Sequence, residues 1–342
     1  MGFQPLTELR IQSFRCIQEV SVKLTPLHAF IGPNDSGKST VLRALNIATN
    51  IAHSDNANDW FPELPEKASV GFTWDGGTYS VERSGGALKE SVSVRGSIEK
   101  TLDRTPNMPG LLGDPSFLSL KEAGAQATLL HLSPRSLRAK APMLLNGEHL
   151  RLKDEYGSGL AAVLAAINQR DVDGFVRLRE ATKQLFPTVA NLRILTEPEG
   201  KVSFQATLSS GAIVRADEMS EGLLYYIAFA TLQHVEGQHI FLVEEPENGL
   251  HPSRVAEVMS ILRALSTNNQ VILATHSPFV INECAPEEVT ILTRDESGTH
   301  ARRIDETPRF EERSKVYALG ELWVSYANGR DEAPLLNGEA RQ

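Results

Sequence analysis

Cysteine is scarce. The two thiols in 342 residues, Cys16 and Cys284, make neither a metal-ligand spacing nor a disulfide framework, which fits a reducing cytosol. Basic charge is not in excess either. Lys and Arg number 34 against 43 Asp and Glu, a formal net charge of −9. That balance argues against wrapping a polyanion over the whole surface and leaves only a local basic groove. No apolar run approaches the ~20 residues needed to cross a bilayer. The longest, "GLLYYIAFATL", suits a buried helix. The opening "MGFQPLTELRIQSF" lacks the uninterrupted apolar core of a cleavable signal. Leu6 stands where a myristoylation signal carries a small hydroxylated residue. Heptads and repeats are absent, so long coiled-coil arms are not expected. No guanine-selecting Asn/Thr-Lys-x-Asp segment occurs, which removes the GTPase class.

What is present is a rhythm of strands and helices. "LTELRIQSF", "EVSVKL" and "LHAFIG" read as strands, followed by a glycine loop and a helix from about Lys38 to Ala52. Residues 68–98 place apolar side chains at every second position around Asp75-Gly76-Gly77, the pattern of a hairpin in a small antiparallel sheet. Residues 100–150 give no clear pattern. Two helices follow, "GSGLAAVLAAINQR" and "DVDGFVRLREATKQLF", the second with Phe175, Leu178 and Leu185 on one face. A second hairpin-like stretch leads into an apolar helix after Ser220. The remainder alternates strand and helix, which implies parallel strands with crossover helices. The tail "LLNGEARQ" reads as loose.

Four motifs carry chemistry. Gly32-Pro33-Asn34-Asp35-Ser36-Gly37-Lys38-Ser39, followed by Thr40, has the phosphate-loop spacing. Its backbone N–H groups must curl around phosphates, which demands residues that tolerate left-handed angles. Asp35, where many such loops carry glycine, is among the few others that do. Lys38 is placed to neutralise terminal phosphates and Ser39 to ligate Mg²⁺. The strand "IFLV" ends in adjacent carboxylates, Glu244 and Glu245. Side chains alternate along a strand, so the two take different jobs: Glu244 on the magnesium side, Glu245 orienting an attacking water. "VILATHSPFVI" is another buried strand, ending in Thr275-His276, with Ser277 and Pro278 as cap and first turn of a helix. His276 is suited to hydrogen-bond a γ-phosphate, because ligands of open α/β sheets bind at carboxyl ends of strands. Ser220 and Gly222 open the apolar helix, where a cap and N–H groups meet an anion.

Together these segments resemble the ABC-type ATPase heads of the SMC/RecF/OLD group, also called AAA-family or AAA-21-like ATPases. "SEGLLYYIAFATL" is similar to a degenerate signature helix, "VEEPENGLHP" to the Walker B and D-loop, and "THSP" to the switch histidine. The resemblance implies an α/β P-loop NTPase of ABC-ATPase type, with a mainly parallel core sheet flanked by helices. It would carry an antiparallel β subdomain and a helical subdomain. The expected organisation is one head: a phosphate-loop lobe at 1–60, the β subdomain at 65–100 and the helical subdomain at 150–190. The signature, Walker B and switch lobe would span 191–305, and a C-terminal helix and tail 306–342.

The resemblance further implies ATP and Mg²⁺ as cofactors and a homodimer that sandwiches two nucleotides. Lys38, Ser39, Thr40, Glu244, Glu245 and His276 would act in cis, Ser220 and Gly222 in trans. Three features depart from the commoner pattern: Glu244 replaces aspartate, the signature lacks its second glycine, and no Q-loop glutamine is assigned, Gln126 included. The implied setting is cytoplasmic DNA repair or antiphage defence, with a partner effector such as a nuclease or toxin, because no Toprim-like acidic cluster follows "THSPFVI". DNA is a candidate ligand through "SPRSLRAK" and "RRIDETPRF". An ABC-transporter subunit and a nucleotide-gated scaffold with little hydrolysis are the alternatives.

Overall fold

The computed structural model describes residues 3–53, 57–94, 98–105, 126–145, 147–237, 239–307 and 310–326. The tail expected to be loose, and much of the unpatterned stretch after residue 100, lie outside these. The chain divides into two compact units. One comprises Met1–Leu129, Gln238–Glu245 and Ser266–Gln342, the other Leu130–Gly237 and Pro246–Leu265.

In chain order the strands begin with β1 (Leu6–Phe14), β2 (Ile17–Lys23) and β3 (Leu27–Ile31), and helix α1 (Lys38–His53) follows. Next come β4 (Ser69–Trp74), β5 (Gly77–Ser84), β6 (Ala87–Val94), β7 (Ile98–Arg104) and β8 (Ala127–Leu130). The second unit adds β9 (Ala141–Pro142), α2 (Leu160–Arg170), α3 (Val172–Leu185) and β10 (Val189–Glu197). It continues with β11 (Lys201–Leu208), β12 (Ile213–Arg215) and α4 (Glu221–Thr231). After β13 (Ile240–Glu244) come α5 (Val255–Leu265), β14 (Gln270–Thr275) and α6 (Pro278–Asn282). β15 (Val289–Asp295), β16 (Gly298–Arg303) and α7 (Leu319–Tyr326) follow, and two four-residue helices, Pro134–Leu137 and Phe310–Arg313, and several 3-10 turns lie among these elements.

The first unit is built on a six-stranded sheet in the order β16-β15-β3-β14-β13-β8. β13, β14, β3 and β15 run parallel, and β16 returns antiparallel to β15. Every residue of β3 and β14 is buried, and so are the first four of β13. A parallel strand covered on both faces reads as a continuous apolar run, which is why these segments do not alternate. α1 buries Val41, Leu42, Leu45 and Ile51 in the core that this sheet shares with the antiparallel strands.

The second sheet of this unit is antiparallel throughout, in the order β2-β1-β4-β5-β6-β7. β4 alternates as expected, with Val70, Phe72 and Trp74 inward, and Asp75-Gly76 is the two-residue turn to β5. The sheet is wider than residues 68–98 alone, because β4 also pairs with β1, Leu9 opposite Phe72 and Ile11 opposite Val70.

In the second unit, α2 and α3 pack beside an antiparallel sheet of β9 to β12. Asp171 caps α3, accepting the Gly174 N–H at 2.8 Å. Phe175 and Leu178 are buried as the periodicity predicts, whereas Leu185 is only half-buried and Phe186 takes the inward place.

One buried polar group in β3 makes stability depend on pH. His28 is fully buried, with Nε2 3.0 Å from Thr290 Oγ1 and Nδ1 3.2 Å from Thr25 Oγ1. Burial, and secondarily the positive charge of Arg303, push its pKa from 6.5 down to about 3. The unfolded chain therefore takes up this proton below about pH 6.5 while the folded chain refuses it. The contribution is intact above 6.5 and is lost as pH falls, by up to ~1.4 kcal/mol per pH unit. His28→Gln is expected to flatten the stability–pH curve between about pH 6 and 4 in urea titrations; parallel curves for the two proteins would refute this.

Candidate functional site

The loop between β3 and α1 is shaped by backbone demands before any side chain acts. At Gly32 an added Cβ would lie 2.3 Å from the Leu292 carbonyl oxygen of β15, so no other residue fits there. Asp35 and Gly37 both take positive φ, 68° and 102°, which folds the intervening amides into a concave nest. α1 starts at Lys38, so its first unsatisfied N–H groups face the same turn. Lys38 is nearly buried, and its ammonium donates to the Gly32 and Pro33 carbonyls at 2.8 and 2.6 Å. Those are the groups a phosphate would displace. Ser36 Oγ is buried without a hydrogen-bond partner among the described residues. Asn34, Asp35 and Ser39 are exposed, and Thr40 is half-buried with Cys16 Sγ 3.5 Å from its hydroxyl. The loop thus offers amide, ammonium and hydroxyl donors around one hollow, the donor set that a polyphosphate requires.

Strand register brings the other residues to this end of the sheet. Glu244 is opposite Ala274 and Ala274 opposite Phe30, while Thr275 is opposite Ile31. The exits of β13, β14 and β3 therefore stand side by side, with neighbours about 4.8 Å apart. Glu244 is the last residue of β13 and half-buried. Glu245 lies beyond the strand and flips to φ 47°, its N–H still held by the Ala274 carbonyl at 2.8 Å. Strand alternation therefore does not govern this pair, because Glu245 itself leaves the extended backbone.

His276 Nδ1 stands 3.3 Å from Glu245 Oε1. Ser277 is the N-terminal flank of α6, but its side chain makes no cap; instead its N–H donates to Thr275 Oγ1 at 2.9 Å. The positioning role of Thr275 is absent from the sequence pattern, which shows only one more β-branched strand residue.

Ser220 and Gly222 belong to the second unit. Ser220 has extended N-cap angles, yet its hydroxyl makes no cap bond, contrary to the expected serine cap. Gly222 answers a packing demand: a Cβ there would sit 3.1 Å from the Gly249 carbonyl, where "PENGL" turns past α4. Gly249 itself has φ 68° and rests against the Tyr225 ring.

Gln126 Nε2 donates to Asn50 Oδ1 at 2.7 Å, and Asn50 lies about three helical turns beyond Lys38, on the order of 18 Å along α1. It is a structural residue. The basic segments are partly engaged: Lys140 pairs with Glu197, Arg138 donates to the Met219 carbonyl, and Arg303 pairs with Asp305. Among the described residues no helix is long and apolar enough to cross a membrane, and no cluster of three or more His, Cys, Asp or Glu stands ready for a metal.

Known families and proteins resemble this chain over much of its length. Residues 5–92 match the family described as an AAA ATPase domain. Residues 126–282 match the family described as an AAA domain, putative AbiEii toxin, Type IV TA system. The Old nuclease of Escherichia phage P2 is 21% identical over 87% of this chain, which spans 61% of that protein. The OLD nuclease of Thermus scotoductus is 43% identical over 42 residues, 12% of this chain and 8% of that one. Among solved structures, an SMC head bound to the C-winged helix domain of ScpA superposes with TM-score 0.55 at 15% identity, covering 91% of this chain and 99% of that one. The Pyrococcus yayanosii Smc head with a coiled coil and joint gives 0.54 at 10% identity, covering 94% and 100%. The consecutive ATPase-domain matches, the OLD-type relatives and the head-type fold make this chain similar to the ABC-type ATPases of the SMC/OLD group.

Proposed function

We propose that this ATPase closes into a homodimer around two Mg²⁺-bound ATP molecules and that the cycle of closure and hydrolysis regulates a partner effector. The observation that carries the reading is the meeting of Glu245 and His276, 3.3 Å apart, at strand exits adjoining the Gly32 loop.

In this reading Gly32, Pro33, Asn34, Asp35, Ser36, Gly37 and Thr40 form the phosphate cradle, and Lys38 trades its two carbonyl partners for phosphate oxygens. The exposed Ser39 hydroxyl and the Glu244 carboxylate would hold Mg²⁺. One carboxylate and one hydroxyl are enough, because this ion keeps several waters and takes phosphate oxygens as ligands. The metal would neutralise charge on the transferring phosphate. Glu245 accepts a proton from the attacking water, and the His276 imidazole, braced by that carboxylate, donates towards the terminal phosphate. Ser220 and Gly222 would complete the other protomer's site, so that the γ-phosphate bridges two copies and its loss releases them.

The partner is proposed as a nuclease or toxin working in DNA repair or antiphage defence. The supporting observations are the relatives named as nucleases, of whose lengths this chain spans 61% and 8%. DNA contact through the basic segments, a cytoplasmic setting and dimerisation belong to the same proposal.

Three measurements test it. Glu245→Gln is expected to lower kcat by about 10²–10⁴-fold, the usual worth of a general base, and to accumulate an ATP-bound dimer by light scattering. A monomer at saturating ATP would sink the dimer. Lys38→Ala is expected to weaken ATP binding by about 10–100-fold by calorimetry, the loss of charge-assisted bonds. Unchanged affinity would remove the cradle assignment. If the purified chain alone degraded duplex DNA, the separate effector would be unnecessary.

A further inference from the structure

One β-hairpin meets the phosphate loop at both of its glycines. β15 presents the Leu292 carbonyl to Gly32, and β16 presents Thr299 to Gly37. A Cβ on Gly37 would lie 2.9 Å from Thr299 Oγ1 and 3.3 Å from Thr299 Cγ2, with Cys16 Sγ next at 3.4 Å. Thr299 is 2% exposed, so it stands behind the loop as a buried wall. The strand that carries it is held in turn. Gly298, at φ 120°, lies against β2, where a Cβ would meet Gln18 Cγ at 2.9 Å.

Cys16 continues the wall towards α1. It sits in the two-residue turn between β1 and β2, flanked by the Phe14–Ile17 pair. Its half-buried thiol is 3.5 Å from the Thr40 hydroxyl in the first turn of α1. Thr299 Oγ1 stands 3.5 Å from the Cys16 carbonyl oxygen and 3.8 Å from its sulfur. Thr299, Cys16 and Thr40 thus form one contact line beneath Gly37 and Lys38.

That line matters because glycine cannot hold its own conformation. Lacking a Cβ, it visits positive and negative φ about equally readily. The Gly37 carbonyl accepts the Val41 N–H at 2.9 Å, and the Ser36 N–H reaches the Pro33 carbonyl at 3.3 Å. Those bonds fix the peptide groups on either side, while the Gly37 Cα between them bears on Thr299 and Cys16. A nest of amides binds phosphate only while its N–H groups converge. With the wall removed, Gly37 can recede and the convergence loosens.

We infer that Thr299 and Cys16 are positioning residues for the phosphate loop: the Thr299 side chain backs the Gly37 turn by its shape, and the Cys16 thiol orients the Thr40 hydroxyl. They set affinity for the polyphosphate without touching it. This rests on the reading of the loop as a phosphate cradle.

The test is calorimetric titration of the full-length protein with ATP and with inorganic triphosphate, in variants shown to be folded by urea titration. Thr299→Ala is expected to weaken binding of both ligands by about tenfold, and Cys16→Ala by about fivefold, within the worth of one or two ordinary contacts. Thr299→Val keeps the shape of the wall, and Cys16→Ser keeps a hydrogen-bonding atom; each is expected within about twofold of wild type. In a Thr40→Val background Cys16→Ala is expected to add no loss, since the thiol acts through that hydroxyl. Should Thr299→Ala fail to fold, the Cys16 variants decide the matter. Wild-type affinity in Cys16→Ala, a loss with ATP that inorganic triphosphate does not share, or an equal loss in Thr299→Val and Thr299→Ala would overturn the inference. Undiminished ATP affinity in Lys38→Ala would overturn the cradle reading and the wall with it. A weakened Lys38→Ala beside unaffected Thr299→Ala and Cys16→Ala would remove only the wall.

Discussion

The structure of the site depends on the register of three buried parallel strands. Nothing in Glu245, His276 or Gly32 draws them together by mutual attraction strong enough to fold a chain. They meet because the apolar runs of β13, β14 and β3 lie side by side in one sheet. A one-residue slip in such a ladder would turn every side chain to the opposite face. Each of these strands is buried on both faces, so a slip would carry polar exit residues into the core, where an unpaired charge is costly. Register is thus enforced by burial, and chemistry inherits it.

On this frame the loop geometry is a matter of backbone space. Gly32 has no room for a Cβ beside β15, and Asp35 and Gly37 must reverse hand within three residues. The Lys38 ammonium sits on two carbonyls of its own loop. The positive charge is therefore already solvated by the protein and aimed, and an arriving anion need only exchange with those carbonyls.

Much of this was legible in the chain itself. The glycine spacing, the acids after "IFLV" and the histidine after "VILAT" marked the strand exits, because a continuous apolar run with a polar end is the mark of a strand buried on both faces. The turn at Asp75-Gly76 was legible for the same local reason. What escaped was set by distant neighbours. Ser220 looks like a helix cap, yet nothing in its own segment says where its hydroxyl turns. Gly222 looks like part of a phosphate-binding signature, while its steric constraint comes from the Gly249 carbonyl. The union of β4 with β1 spans about sixty residues of chain, beyond any periodicity argument. Thr275 and Gln126 acquired their roles only once α1, β14 and their neighbours were in place.

Glu245 combines two demands that pull against each other. A left-handed backbone at a non-glycine residue costs roughly 1–2 kcal/mol, and glycine or asparagine would sit there with less strain. Either replacement would also delete the carboxylate beside His276. The most comfortable residue at this dihedral would therefore leave the strand exits without their carboxylate–imidazole pair. Glu245 is thus a locally uncomfortable residue whose N–H is held by the Ala274 carbonyl of the next strand.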